Sequence, residues 1–186
     1  MNNGKWEFIH NEILSASVLA SVRQGVGRPV YKSGTDDSDK QEFRNFLKQK
    51  LLEYAEKYKS GKISDDNHFK NIEKLAKEIS ETYGKILAKD KFGVGKFRIG
   101  RTQKLLNLYL KYLWCSGKIN EPPHCPFDSI VIGNLDGDIK NTRFTEFDDI
   151  DIYKNLVEMA RKKADRSSLS EWELNLFNKR NPAYRK

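Results

Sequence analysis

Glycines at 93, 95 and 100 are interspersed with Lys96, Arg98 and Arg101, just ahead of an apolar stretch that carries Lys104 near its start. Glycine lets a backbone approach a phosphate closely, cationic side chains pair with its oxygens, and a helix N-terminus offers unpaired N–H groups. Residues 91–101 therefore form a candidate phosphate-contacting loop, although the glycine spacing and terminal Lys-Ser/Thr of a P-loop are absent. A solvated connection between two helices would carry the same residues. Lys91 extends the basic run. Phe92 and Phe97 interleave with it, as rings that stack on bases or wedge into DNA do; either could instead anchor the loop to the core.

Lysine becomes a nucleophile when burial or neighbouring cations depress its pKa. Lys104 has Arg101 three residues before it and an apolar helix behind it; Lys96, directly after Gly93-Val94-Gly95, is a second candidate amine. Asp128, in Pro126-Phe127-Asp128, is placed to cap a short apolar helix and to stay ionised there. Each also has an ordinary structural reading, as a first-turn surface lysine and as a helix cap.

His124 and Cys125, with Cys115 ten residues earlier, offer three soft ligands where structural zinc needs four, so neither a metal nor a cofactor is expected. Cys115 is expected buried on the apolar helix, and His124, in a turn between Pro123 and Pro126, is expected to contact nucleic acid. Asp148 and Asp151, beside Glu146, share a helix face at a spacing that suits Mg²⁺. Acids in a first helical turn are also what the helix dipole favours.

The run Gly100-Arg101-Thr102-Gln103-Lys104, followed by Cys125-Pro126-Phe127-Asp128, resembles the helix-hairpin-helix DNA glycosylases over residues 93–135. That family has a glycine-bearing hairpin, a lysine at the start of the next helix, and further on a Pro-x-Asp before an apolar helix. Lys104 stands four residues after Gly100, as in the bifunctional members, and Asp128 follows 24 residues later. Thr102 stands where the motif has its second glycine. The resemblance implies excision of a flipped-out base, with Lys104 attacking the sugar C1′ to give a Schiff base and Asp128 stabilising the developing positive charge.

The elements that must hold these residues are helical. Trp6, Phe8, Ile9, Ile13, Leu14, Val18 and Leu19 predict a helix over 6–22, stopped by Gly25, Gly27 and Pro29. Residues 23–40 read as a mobile loop. Apolar stripes predict helices from Ser38 to about 58 and from Asp65 or Asp66 to Tyr83, joined by a short loop and so packed antiparallel. Their mixed charges look solubilising. The stretch 102–114 is apolar nearly all round, which marks a central buried helix. A short helix over 129–135 and a longer one over 147–164 follow, and a capping box, Ser168 to Glu171, opens the last. No segment alternates with period two. The fold class is all-α, one domain over 1–186 with six or seven helices around the central helix 102–114.

The chain has 186 residues and a formal charge of +8. From Lys85 to Lys118 there are nine Lys or Arg and one acid, Asp90, so the whole excess falls in that segment. Such a run predicts a polyanionic partner, expected to be DNA. No stretch of about 18 apolar residues exists to cross a membrane, and a cytoplasmic, disulfide-free protein is expected. The function expected is nucleic-acid binding, in its sharpest form a glycosylase/lyase-like enzyme using Lys104 and Asp128. The contacts would come from Lys91, Lys96, Phe97, Arg98, Gly100, Arg101 and His124. A non-catalytic DNA-binding or regulatory module is the alternative, and a protein-interaction domain of a bacterial defence or mobile-element system is a third.

Overall fold

Helix α4, Ile99–Cys115, is the axis about which the other elements are arranged: α1 (Asn3–Val22), α2 (Asp37–Glu56) and α3 (Asp65–Tyr83) before it, and α5 (Ser129–Gly133), α6 (Ile150–Ala164) and α7 (Leu169–Arg180) after it. The computed structural model describes residues 3–23, 29–90 and 92–180. Lys91 and positions 24–28 of the predicted mobile stretch lie outside the described residues. The protein is all-α, with seven α-helices and one 3-10 turn, Asp138–Asn141, among the described residues.

Helix α4 packs against α1, α2, α3 and α6. Leu105, Leu106, Tyr109, Leu110 and Leu113 are buried on successive sides of it, as expected of a helix apolar nearly all round. The flanking helices bury one stripe each: Phe43, Leu47 and Leu51 from α2, and Ile72, Leu75 and Ile79 from α3. Each such side chain contributes roughly 1.5–3 kcal/mol on leaving water.

Several boundaries differ from the sequence expectation. Helix α4 begins at Ile99 instead of 102, because the Asp148 carboxylate accepts the Ile99 N–H at 3.2 Å and holds the first turn. Helix α6 begins at Ile150 instead of 147, because the Asp149 side chain accepts the Asp151 N–H. Helix α2 begins at Asp37, one residue ahead of Ser38. Ser168 does cap α7, accepting the Glu171 N–H at 3.1 Å.

The connections are built rather than loose. After residue 28 the chain is tied to the α3–α4 connection, with Ala88 N–H donating to Val30 O at 2.8 Å and Lys32 N–H to Ile86 O at 2.9 Å. Val30 and Tyr31 are buried. The α3–α4 connection folds back on itself as a hairpin, bridged at Lys89 and Gly95. Its turn is organised by Asp90, whose Oδ1 accepts the N–H groups of Phe92 and Val94. Gly93 has φ of 81°, which favours glycine. A Cβ on Gly95 would lie 1.9 Å from the Gly84 carbonyl oxygen, so glycine is required for the hairpin to close on the end of α3.

Candidate functional site

The basic run is dense in the chain but mostly committed to the protein itself. Lys96 is 3.2 Å from Asp148 and 3.5 Å from Asp90. These two carboxylates, Asp148 first, raise its pKa, which is the wrong direction for the second candidate nucleophile. Phe97 is 1% exposed, its ring edge-on to Phe43 at 5.7 Å, so it is an anchor and not a stacking platform. Arg98 is buried at the N-cap of α4. The Arg101 guanidinium, 1% exposed, donates to Ser21 O at 2.7 Å and Arg23 O at 3.4 Å, covering the carbonyls that end α1. Burial, with Arg98 nearby, pushes its pKa down to about 10, so it remains charged near neutrality.

Gly100 has an equally internal reason. A Cβ there would sit 2.0 Å from the Phe144 carbonyl oxygen, and the Gly100 N–H donates to Phe147 O at 3.2 Å. Glycine at this position lets the first turn of α4 lie directly on the 144–147 backbone; it does not open a path to a phosphate. His124 is fully buried. The expected polyanion contacts of Phe97, Arg98, Gly100, Arg101 and His124 are therefore revised, because in the folded chain these residues face protein. Lys91 lies outside the described residues.

The cleft beside the hairpin is also not basic. Val94, Gly95, Lys96 and Phe97 border an open cleft of about 820 Å³. Glu73, Glu81, Asp148 and Asp149 line it against Lys77 and Lys96, a balance that repels a phosphate backbone. Asp148 serves α4 and Lys96, and Asp151 pairs with Lys154 at 2.9 Å. Among the described residues no group of three or more His, Cys, Asp or Glu is arranged to hold a metal ion. Cys115, expected buried, is exposed at the end of α4, while Cys125 is buried.

Lys104 and Asp128, by contrast, are brought together. Lys104 Nζ is 3.7 Å from Asp128 Oδ2, the two side chains 13% and 26% exposed, and the ammonium lies 4.4 Å from the Phe144 ring centre. Burial lowers the Lys104 pKa; Asp128 opposes this, and Arg23 and Arg101 reinforce it. Asp128 also caps α5, its Oδ1 accepting the N–H groups of Ile130 at 2.9 Å and Val131 at 3.1 Å. Such a cap contributes about 1 kcal/mol.

The register of this pair is set by the residue beside each partner. The Gln103 amide donates to Phe127 O at 2.7 Å and accepts the Phe127 N–H at 3.0 Å, gripping one residue's backbone at both its polar groups. Gln103 precedes Lys104 and Phe127 precedes Asp128, so this clamp places the amine opposite the carboxylate. One turn further along α4, Asn107 Nδ2 donates to Cys125 O at 3.0 Å and Tyr153 Oη at 2.8 Å. Its Oδ1 meets His68 Nε2 at 2.8 Å, and His68 Nδ1 meets Tyr58 Oη at 2.7 Å. Tyr153 continues to His124 Nδ1 at 2.9 Å, whose Nε2 lies 3.3 Å from Asp65, itself 2.6 Å from Arg161.

A polar chain thus runs through the core, binding the turn after α2, α3, α4, α6 and the proline turn into one arrangement. The rings are held neutral by burial: the His68 pKa is well below its ordinary value, and that of His124 is lowered despite Asp65. Asp65, beside His124 and Arg161, is held down to about 2. Motif spacing does not single out Gln103 and Asn107. The signal that could find them is two amides four residues apart on a helix otherwise apolar nearly all round, where a buried amide needs partners.

A second grouping, also unmarked in the sequence, lies where α1 ends beside the start of α2. Arg23, Lys40 and Arg44 border a groove of about 480 Å³ with Tyr31, Leu19 and Val22, and among the described residues no carboxylate lines it. Arg23 and Arg44 are separated by 20 intervening residues, so no local charge run announces them. Comparison with models of protein families, with curated proteins and with solved structures finds no match to this chain.

Proposed function

We propose that this protein binds nucleic acid, with DNA the expected polymer, and acts on it through the Lys104 amine as a glycosylase/lyase-like base-excision enzyme. The observation that supports this reading is the Lys104–Asp128 pair, an amine of lowered pKa beside a carboxylate at 3.7 Å. The resemblance of residues 93–135 to helix-hairpin-helix glycosylases supplies the reaction class. A depressed pKa raises the share of unprotonated amine, which is the form that attacks. At an intact nucleotide the Nζ–C1′ bond forms as the glycosidic bond breaks, and the base leaves with the bonding electrons and takes up a proton. At an abasic aldehyde the amine adds to C1′, water leaves, and a protonated C=N bond remains. The Asp128 carboxylate accepts the proton released by the ammonium and stands next to the positive charge that develops on the sugar.

A non-catalytic nucleic-acid-binding module is the second reading. It is favoured by the capping hydrogen bonds that Asp128 makes to α5, which give that residue a structural task without any chemistry.

Borohydride trapping on DNA carrying abasic or oxidised sites separates the two. The enzymatic reading expects a covalent protein–DNA adduct with the wild type and none with Lys104→Gln, at unchanged DNA affinity. An adduct that persists in Lys104→Gln would move the chemistry to another amine. DNA binding with no adduct in either protein would leave the binding module.

A further inference from the structure

We propose that the groove between the end of α1 and the first turns of α2 is a phosphate-binding site, formed by Arg23, Lys40, Arg44 and the Tyr31 hydroxyl. Three cationic side chains border one depression, with no carboxylate among the described residues of its walls. Cations at such close quarters repel one another unless an anion joins them. Tyr31 is 6% exposed, with its ring held edge-on by Phe43 at 5.8 Å. Its hydroxyl is buried without a hydrogen-bond partner, which is unusual for a tyrosine placed in a core.

The donors match one ligand class. Guanidinium and ammonium groups only donate, a tyrosine hydroxyl can donate, and a phosphate offers acceptor oxygens on several sides at once. A carboxylate, flat and singly charged, would engage fewer of these four groups. The existing partners leave the groups able to take a ligand. Lys40 is 2.9 Å from Asp37, which is almost fully exposed, and Arg44 donates one N–H to Gln41 at 3.0 Å. Leu19, 56% exposed, and Val22 form an apolar flank on which a sugar or base can rest. Arg23 also acts electrostatically on Lys104, lowering its pKa.

The chemistry would be the same for a polymer phosphate and for free phosphate, and two probes distinguish them. A short DNA duplex is titrated by fluorescence anisotropy and inorganic phosphate by calorimetry, against wild type, Arg44→Gln and Tyr31→Phe. The expected result is duplex affinity lowered about tenfold by Arg44→Gln and about threefold by Tyr31→Phe. Thermal stability without ligand should be unchanged or higher in Tyr31→Phe, which keeps the ring and removes only the hydroxyl. If only inorganic phosphate binding weakens, the site still holds phosphate and its source is the free ion. If wild type binds neither probe, or both variants bind both probes like wild type, the proposal is overturned. A rise in stability for Tyr31→Phe with no change in binding would reduce the hydroxyl to a packing defect and remove it from the site. The groove assignment is independent of amine chemistry: failure of borohydride trapping leaves it standing, and unchanged binding in these variants leaves trapping to be judged alone.

Discussion

Two basic regions of this molecule behave in opposite ways. The run from Lys85 to Lys118 holds nine cations against one acid in the chain. In the fold Lys96, Lys104 and Lys111 pair with Asp148, Asp128 and Glu173, and Arg101 covers the end of α1. The groove of Arg23, Lys40 and Arg44 draws on the end of α1 and the start of α2, has no density of charge in the sequence, and no acid among the described residues lines it. Charge concentrated along a chain is thus a poor guide to charge presented at a surface. What decides is where the counter-charges arrive from, and Asp148, Asp128 and Glu173 arrive from distant segments.

The sharpest way to break the comparison is at Gly100. If the start of α4 is packed as described, Gly100→Ala drives a methyl group into the Phe144 carbonyl and costs about 3 kcal/mol or more, read as a loss in denaturant midpoint. Were the segment an open phosphate loop, the same change would be nearly neutral and would weaken polyanion binding instead. Next, Gln103→Leu removes the clamp on Phe127 and leaves its N–H and C=O unpaired in the core, at about 2 kcal/mol. It should also unseat Asp128 from Lys104, so the Lys104 pKa, followed by NMR of methylated lysines, would drop further as the carboxylate's raising influence is lost.

Titration gives a subtler test of the interior. The folded-state pKa values of His68 and His124 are lowered, so below the ordinary value near 6.5 the unfolded chain binds protons that the fold refuses. Stability should therefore fall as pH drops from 7 toward 5, by up to about 1.4 kcal/mol per pH unit for each ring. His68→Gln should lower stability at pH 7 and make that decline shallower. The smallest effect is expected at Lys96. It is 41% exposed and held between two carboxylates, and Lys96→Gln should change stability by under about 1 kcal/mol.

The fold class was legible because helical spacing of apolar residues survives folding unchanged. Phe43, Leu47 and Leu51 on α2, and Leu105, Leu106 and Tyr109 on α4, are buried as their periodicity requires. The helix starts were less legible, since Asp148, far along the chain, sets where α4 begins. Lys104 and Asp128 could be picked as a pair from the motif, but the clamp that registers them could not. Gln103 and Phe127 are 24 residues apart, and only packing shows that the amide grips that backbone. The groove was invisible for the same reason: Arg23, Tyr31 and Arg44 become neighbours only when α1 and α2 close on α4.

The most direct measurement is DNA affinity across a range of salt concentrations, for wild type beside Arg44→Gln and Lys96→Gln. A groove that takes a backbone phosphate predicts weaker binding for Arg44→Gln, with the slope of log affinity against log salt reduced by about 0.9, and Lys96→Gln indistinguishable from wild type. The reverse pattern, with Lys96→Gln losing affinity and salt dependence while Arg44→Gln does not, would return the polyanion surface to the α3–α4 hairpin and contradict its assignment to the groove.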